Sequence, residues 1–252
     1  MYEHLTLSSP AEKVFQITIN RPRQLNALGR ITFQELTSAL HEFDESDSDI
    51  LLLTGAGRAF CFGADFMEFQ DRERLPDLLH MFQDLILKLF HSRKITVAAL
   101  NGFATGAGFD LALACDFRVA AEKVKMGEAY INMGLVPDGG GSFLLTKIVG
   151  VSRSLEMLAL GEAITAEQAL SFGIVHQVVP AEELMAKSVA YASQLAAKPQ
   201  TALRQIKKLI KEYAGSTLES ALENERQSQL ICFEDETHLS IVREFLAKRQ
   251  KN

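Results

Sequence analysis

The sequence predicts an α/β fold with mostly parallel strand pairing, followed by a helical C-terminal region. Three observations carry this. Short apolar runs alternate with stretches of helical period as far as about Val179. Glycine-rich turns close several of the short runs. After Pro180 the strand signals stop and only helical periodicity remains.

Taken in order, Val14–Ile19 alternates as a strand, and Asn20-Arg21-Pro22 ends it. Residues 31–43 carry Phe33, Leu36, Leu40 and Phe43 at helical spacing. Residues 50–54 form a short buried strand closed by Gly55-Ala56-Gly57. Leu75–Phe90 is an amphipathic helix, 96–100 a strand, and Asn101-Gly102 a turn. Gly106-Ala107-Gly108 opens a helix to Ala114, Phe117–Ala121 is a strand, and 142–149 and 153–160 are helical. Beyond Pro180, helices are expected over 181–197, 201–213, 217–231 and 237–248, with Pro199 and Gly215 as separators. No internal repeat or low-complexity tract interrupts the pattern.

Composition narrows the function classes. The 252 residues are 47% hydrophobic, ordinary for a water-exposed globule with a sizeable core. Lys plus Arg is 26 against 32 Asp plus Glu, a formal charge of −6 that gives no support for nucleic-acid binding. It leaves room for an anionic small ligand, since a few local cations suffice for one. Three widely spread cysteines, Cys61, Cys115 and Cys232, make no disulfide framework and are expected as reduced thiols. The six His are scattered and no metal spacing appears, so no metal is expected. The first ten residues have neither a basic start nor an apolar run, and no stretch is long enough to span a bilayer. The last residues, Lys251-Asn252, do not form the peroxisomal tripeptide. A cytoplasmic location is the expectation.

The densest chemical signal runs from Asn101 to Gly141. In Asn101-Gly102-Phe103-Ala104-Thr105-Gly106-Ala107-Gly108-Phe109-Asp110 a strand enters a glycine-rich turn that opens a helix. Small residues let a ligand approach the backbone, and the free N–H groups of the first helical turn favour negative charge. Such a turn can hold a phosphate or a developing oxyanion, or its glycines can serve packing alone. The dinucleotide fingerprint is incomplete, because Leu111 stands where the third glycine belongs. A second small-residue turn, Phe60-Cys61-Phe62-Gly63-Ala64-Asp65-Phe66, follows the strand at 50–54. Two turns that each supply one backbone donor to a single oxygen are what enolate chemistry on a thioester requires.

These motifs resemble, in order, those of the crotonase superfamily, the enoyl-CoA hydratases and isomerases. Asn20-Arg21-Pro22 with Asn26-Ala27-Leu28 is similar to its N-terminal signature. Ala59 to Asp65 resembles its first oxyanion turn, and Asn101-Gly102 through Cys115-Asp116 its second. Gly134-Leu135-Val136-Pro137-Asp138-Gly139-Gly140, Gly173-Ile174-Val175 and Phe245-Leu246-Ala247-Lys248-Arg249 continue the match over nearly the whole chain. The resemblance implies a crotonase (ClpP-like) spiral of ββα units, with residues 1–195 as the core holding the coenzyme A site. Residues 196–252 would be a helical C-terminal trimerisation region, and the assembly a homotrimer or dimer of trimers. It implies an acyl-CoA thioester as substrate, with coenzyme A part of that substrate and not a cofactor, and no nucleic-acid or membrane partner.

The resemblance also implies residue roles. The N–H groups of Ala64 and Ala107 would form the oxyanion hole; Ala107 replaces a glycine usual there, and a backbone donor survives the change. Carbonyls around Ala64, Asp65 and Phe66 would hold the adenine, Arg23 and Lys248 would meet the phosphates, Phe245 would pack near the ligand, and Leu25 would also bind substrate. For Arg23 and Lys248 a solvated charge is the competing reading.

The acids select the reaction. Hydratases carry two glutamates. Asp110 stands at the first position, about one methylene shorter, and Tyr130 at the second. With a reference pKa of about 10, Tyr130 is no carboxylate base; it is expected as a donor or as a wall of the acyl pocket. Asp138 precedes three glycines, where an aspartate is an ordinary helix N-cap. Enoyl-CoA isomerases and the ring-opening isomerases of phenylacetate breakdown place a catalytic acid there. A double-bond shift needs one base that takes a proton from one carbon and returns it to another, so one carboxylate is enough. An apolar pocket, for which Phe62, Phe66, Phe69, Phe103 and Phe143 are candidates, would raise that acid's pKa. The expectation is a Δ3,Δ2-type enoyl-CoA isomerase with Asp138 as general base and Asp110 as a secondary group. A hydratase using Asp110 and a non-catalytic acyl-CoA binder remain as alternatives. The dehalogenases of the family pair such an acid with a tryptophan, and this chain has no Trp.

Overall fold

A computed structural model describes residues 2–68, 73–212 and 218–249. In chain order, β1 (Leu5–Ala11) turns back onto β2 (Val14–Ile19), and a 3₁₀ turn at Pro22–Gln24 leads to α1 (Arg30–Glu45). Three ββα units follow. The first is β3 (Ile50–Gly55), β4 (Ala59–Cys61) and α2 (Leu75–Phe90). The second is β5 (Ile95–Leu100), β6 (Phe103–Thr105) and α3 (Ala107–Ala114). The third is β7 (Phe117–Ala121), β8 (Lys125–Gly127) and α4 (Gly141–Leu160). Then come β9 (Ile164–Thr165), α5 (Ala166–Ser171), β10 (Gln177–Val179) and the helices α6 (Leu184–Ala196), α7 (Gln200–Glu212), α8 (Leu218–Glu234) and α9 (Glu236–Arg249).

The first strand of each unit joins one sheet, ordered β1-β2-β3-β5-β7-β10; the second joins another, ordered β4-β6-β8-β9. This is the implied spiral of ββα units. Pairing is parallel throughout, except that β1 and β9 run antiparallel to β2 and β8. Ile50 sits opposite both Val14 and Ile95, and Val97 opposite Phe117. β3 and β5 are buried along their whole length, as parallel strands covered on both faces must be. Their continuous apolar runs, Ile-Leu-Leu-Leu and Ile-Thr-Val-Ala-Ala-Leu, are the sequence form of that burial.

The helices present one apolar face each. α1 buries Phe33, Leu36, Leu40 and Phe43, and α2 buries Leu78, Phe82, Leu85, Ile86 and Leu89. α3 is buried on every side, and its residues are correspondingly small or apolar apart from Asp110. The expected break between helices near 150 is present: Gly150 (φ 78°, ψ 167°) kinks α4. α7 is fixed to the core by charge. Lys207 Nζ and Lys211 Nζ lie 2.6 and 3.0 Å from the two oxygens of Asp116, which also accepts the Thr96 N–H at 2.9 Å. Among the described residues no helix is long and apolar enough to cross a membrane.

Candidate active site

Two turns, one from each of the first two ββα units, meet at the ends of β4 and β6. The asparagines of the sequence signatures hold them there. Asn26 is fully buried; its amide donates to Ala56 O at 2.9 Å and Ala59 O at 2.7 Å. Asn101 donates to Gly57 O at 2.9 Å and Ala59 O at 3.1 Å, and accepts the Gly55 N–H at 3.1 Å. Gly63, at φ 113°, occupies backbone space unfavourable to other residues, and a Cβ there would stand 3.1 Å from Thr105 O and 4.0 Å from Ala107 N. At Gly108 a Cβ would lie 2.1 Å from Cys61 O, so the second helix reaches the first turn only because that residue is glycine. The backbones flanking Ala64 are spoken for, Leu28 donating to Gly63 O and Asp65 to Leu28 O. Ala107 is the first residue of α3, so its N–H has no acceptor within the helix.

Ala64 and Ala107 open onto one cavity of about 480 Å³. Its walls are apolar: Phe62 and Phe66 of the first turn, Leu75 and Leu79 of α2, Met133 at the end of the 3₁₀ turn Tyr130–Met133, and Leu135 just after it. Of the five phenylalanines expected here, Phe62 and Phe66 line it. Phe103 packs edge-on against Phe62 at 5.8 Å, Phe143 lies under Lys147 instead, and Phe69 falls outside the described residues. Asp138 is the one carboxylate among the described residues lining the cavity, with Tyr130 next to it.

Asp138 is not a helix cap. Gly140 takes the N-cap position of α4, with no side-chain cap bond. The Asp138 carboxyl faces Tyr130 instead, whose hydroxyl stands 2.9 Å from Asp138 Oδ1 and 2.6 Å from Asp110 Oδ2. Tyr130 is therefore both of the things the sequence left open, a wall and a donor. Asp110 is fully buried behind it and does not line the cavity.

A third acid, which the sequence reading passed over, completes the group. Glu128 is 1% exposed, and among the described residues no N–H or hydroxyl donates to either of its oxygens or to Asp110 Oδ1; the two carboxyls can be linked only by a proton that one of them carries. Asp110 Oδ1 and Glu128 Oε1 flank the same point, each 2.3 Å from where a Cβ on Gly141 would fall. Strand geometry supplies the signal that was available: Met126 and Glu128 share one side of an extended chain, and Met126 is fully buried. Burial pushes the Asp110 carboxyl up to about 6, with the Asp138 charge adding; hydrogen bonds from Tyr130 and the Gly139 N–H oppose it, as does one from Glu128 when that carboxyl carries a proton. Burial holds Glu128 well above the usual carboxylate range, and the charges of Asp110 and Asp138 raise it further. Burial also raises Asp138, against the opposing Tyr130 hydrogen bond. Burial and the neighbouring carboxylates hold the Tyr130 phenol protonated.

Among the described residues, the others expected to bind substrate are not in the cavity lining. Asp65 is tied to Arg21 at 2.9 Å, a structural pair at the base of the first turn. Leu25, left-handed at φ 51°, accepts the Phe62 N–H at 3.0 Å, so it too braces that turn from outside the cavity. Arg23 is exposed and does not reach the cavity wall. Phe245 and Lys248 belong to α9, but their side chains lie outside the described residues. No group of three or more metal-ligating side chains occurs among the described residues.

Comparison with known proteins agrees with this architecture. Residues 10–252 match the family model described as enoyl-CoA hydratase/isomerase. The chain is 35% identical over 250 residues to a 1,2-epoxyphenylacetyl-CoA isomerase of Escherichia coli, covering 96% of this chain and 95% of that one. It is 31% identical over 255 residues to a crotonyl-CoA hydratase of Syntrophomonas wolfei, covering 100% and 98%. The crystal structure of an enoyl-CoA hydratase from Bacillus anthracis superposes with a TM-score of 0.94 at 30% identity, over 98% of this chain and 97% of that one. The fold, the paired turns and these likenesses together make the chain an acyl-CoA enzyme that belongs to the enoyl-CoA hydratase/isomerase family.

Proposed function

We propose that the chain is an enoyl-CoA isomerase of the Δ3,Δ2 type, with Asp138 as its general base. The observation that carries this is the position of the acids: Asp138 alone among the described carboxylates lines the cavity onto which Ala64 and Ala107 open. The thioester oxygen lies between the N–H groups of Ala64 and Ala107. Asp138 takes a proton from C2 of a 3-enoyl thioester, and the C–H electron pair moves into the enolate, whose charge settles on that oxygen. The same proton returns to C4, the double bond ends between C2 and C3, and no water or oxidant is consumed. The raised proton affinity of Asp138 suits both steps, because the base must take the proton and then release it to carbon. The apolar wall accepts the acyl chain.

Hydration is the second reading, favoured by relatives such as the crotonyl-CoA hydratase of Syntrophomonas wolfei. It has to be carried by Asp110, which stands behind Tyr130 with no exposed surface. The two readings separate in one pair of assays, 3-enoyl-CoA isomerisation and crotonyl-CoA hydration followed by the enoyl thioester absorbance. Isomerisation lost in Asp138→Asn with coenzyme A thioester binding retained is the expected result. Efficient hydration that depends on Asp110 and survives Asp138→Asn would replace it. The same reading takes the assembly as a homotrimer or dimer of trimers, supported by the apolar residues that α7 to α9 leave exposed, among them Ile206, Ile210, Leu230 and Ile241.

A further inference from the structure

The three buried acids raise a question of proton count. Two ionised carboxylates cannot hydrogen-bond to each other, yet Asp110 Oδ1 and Glu128 Oε1 face one gap with no other partner. Tyr130 has a single proton and two carboxyl oxygens beside it, at 2.6 Å from Asp110 and 2.9 Å from Asp138. The titratable groups of the cluster are Asp110 from α3, Glu128 after β8, Tyr130 from the 3₁₀ turn and Asp138 before α4. The remaining element against it, α2, presents Phe82 beside Gly139 and Gln83, whose amide donates to Asp138 O at 3.1 Å. Neither titrates, and the charges that act on Glu128 are those of Asp110 and Asp138.

We propose that Glu128 is a positioning residue held as a neutral carboxylic acid, which donates its O–H to Asp110 Oδ1 and thereby sets the basicity of Asp138 through Tyr130. The inference rests on Asp138 being the base. With Glu128 as donor, Asp110 is satisfied as an anion and takes the Tyr130 proton on Oδ2, the shorter of the two contacts. The phenol then turns a lone pair, not a proton, toward Asp138. Asp138 loses a stabilising donor, feels the Asp110 charge, and becomes the stronger base. The proton count balances: Glu128 and Tyr130 each keep one proton, and one further proton enters or leaves at Asp138. Burial, which raises the proton affinity of Glu128 above that of an ordinary carboxyl, agrees with this assignment.

Removing the donor reverses the chain. Without Glu128, Asp110 retains its own proton, donates it to the phenol oxygen, and Tyr130 turns its O–H to Asp138. Asp138 then ionises more readily and pulls less strongly on a carbon acid.

The test compares the full-length protein with Glu128→Gln and Glu128→Leu. The pH profile of solvent-deuterium exchange at C2 of an acyl-CoA reports enolate formation, and the infrared band of protonated carboxyl groups at neutral pH reports the proton itself. Glu128→Gln, whose amide still donates, is expected to lose the band and keep the wild-type profile. Glu128→Leu is expected to move the acid limb down by about one pH unit and to lower the plateau about tenfold, with KM nearly unchanged. A band that persists in Glu128→Gln, equal damage in both variants, or a Glu128→Leu profile that superimposes on the wild type would each overturn the proposal. The reading of Asp138 is judged separately, by whether exchange is lost in Asp138→Asn; an intact band change with no dependence on Asp138 points to a failed base assignment, not to an ionised Glu128.

Discussion

The Tyr130 hydroxyl bridges Asp110 and Asp138. The bridge couples the two carboxyls, and the pH dependence of the buried one has a defined sign. The folded chain holds Asp110 with a pKa of about 6, above the ordinary aspartate value, so between these two values the folded state binds more protons than the unfolded one. Stability from this group is therefore present at low pH and is lost as pH rises through its folded pKa. Asp110→Asn is expected to raise the unfolding free energy above pH 6 by about 1–3 kcal/mol and to change it little at pH 4. Urea unfolding at the two pH values checks it, and a destabilised Asn variant at neutral pH would show that the Asp110 anion is a net support. Asp110, Tyr130 and Asp138 were legible as a group in the sequence because the family pattern marks their positions. Glu128 was not, because a glutamate after a glycine reads as surface, and only the burial of Met126 two residues earlier turns it inward.

Among the elements, long periodic segments were readable and short ones were not. Leu75–Phe90 and Phe117–Ala121 coincide with α2 and β7, since each repeats its apolar pattern long enough to show a period. β4, β6, β8 and β9 have three residues or fewer, too few for any period, and they build the second sheet on which the site depends. β1 is an edge strand with polar Ser8 and Ser9 and with Pro10, so its alternation is masked. The glycines, by contrast, marked the close approach of the two turns directly. Gly108→Ala is expected to force α3 away from Cys61 O and to destabilise the protein by about 1–3 kcal/mol, as overpacking does. The folded fraction should form the enolate poorly, because the two turns proposed to supply the Ala64 and Ala107 donors would be driven apart. Thermal unfolding together with C2 exchange measures both, and normal exchange in a folded Ala variant would contradict the role given to the paired turns.

Over the whole molecule, the spiral brings the first two ββα units side by side, so that residues more than forty apart in sequence share one cavity: Ala64 with Ala107. The third unit delivers Tyr130 and Asp138 to the opposite wall. This convergence is the part of the fold that local sequence pattern does not encode, and the collinear motifs made it legible only through the family they mark. The C-terminal helices leave several large apolar side chains exposed, Ile210 at 69% the most among Ile206, Ile210, Leu230 and Ile241, and these are what the proposed assembly would cover. Sedimentation is expected to give the mass of three or six chains, and Ile210→Glu to shift it toward one; a wild-type monomer would contradict the proposed assembly. The central claim is that Asp138 moves the proton of a thioester enolate. Its most direct test is incorporation of solvent deuterium at C2 of a bound acyl-CoA by the wild type and by Asp138→Asn. The account predicts exchange in the wild type and a loss of about 10²–10⁴-fold in the variant at unchanged thioester affinity; equal exchange by the two proteins would contradict it.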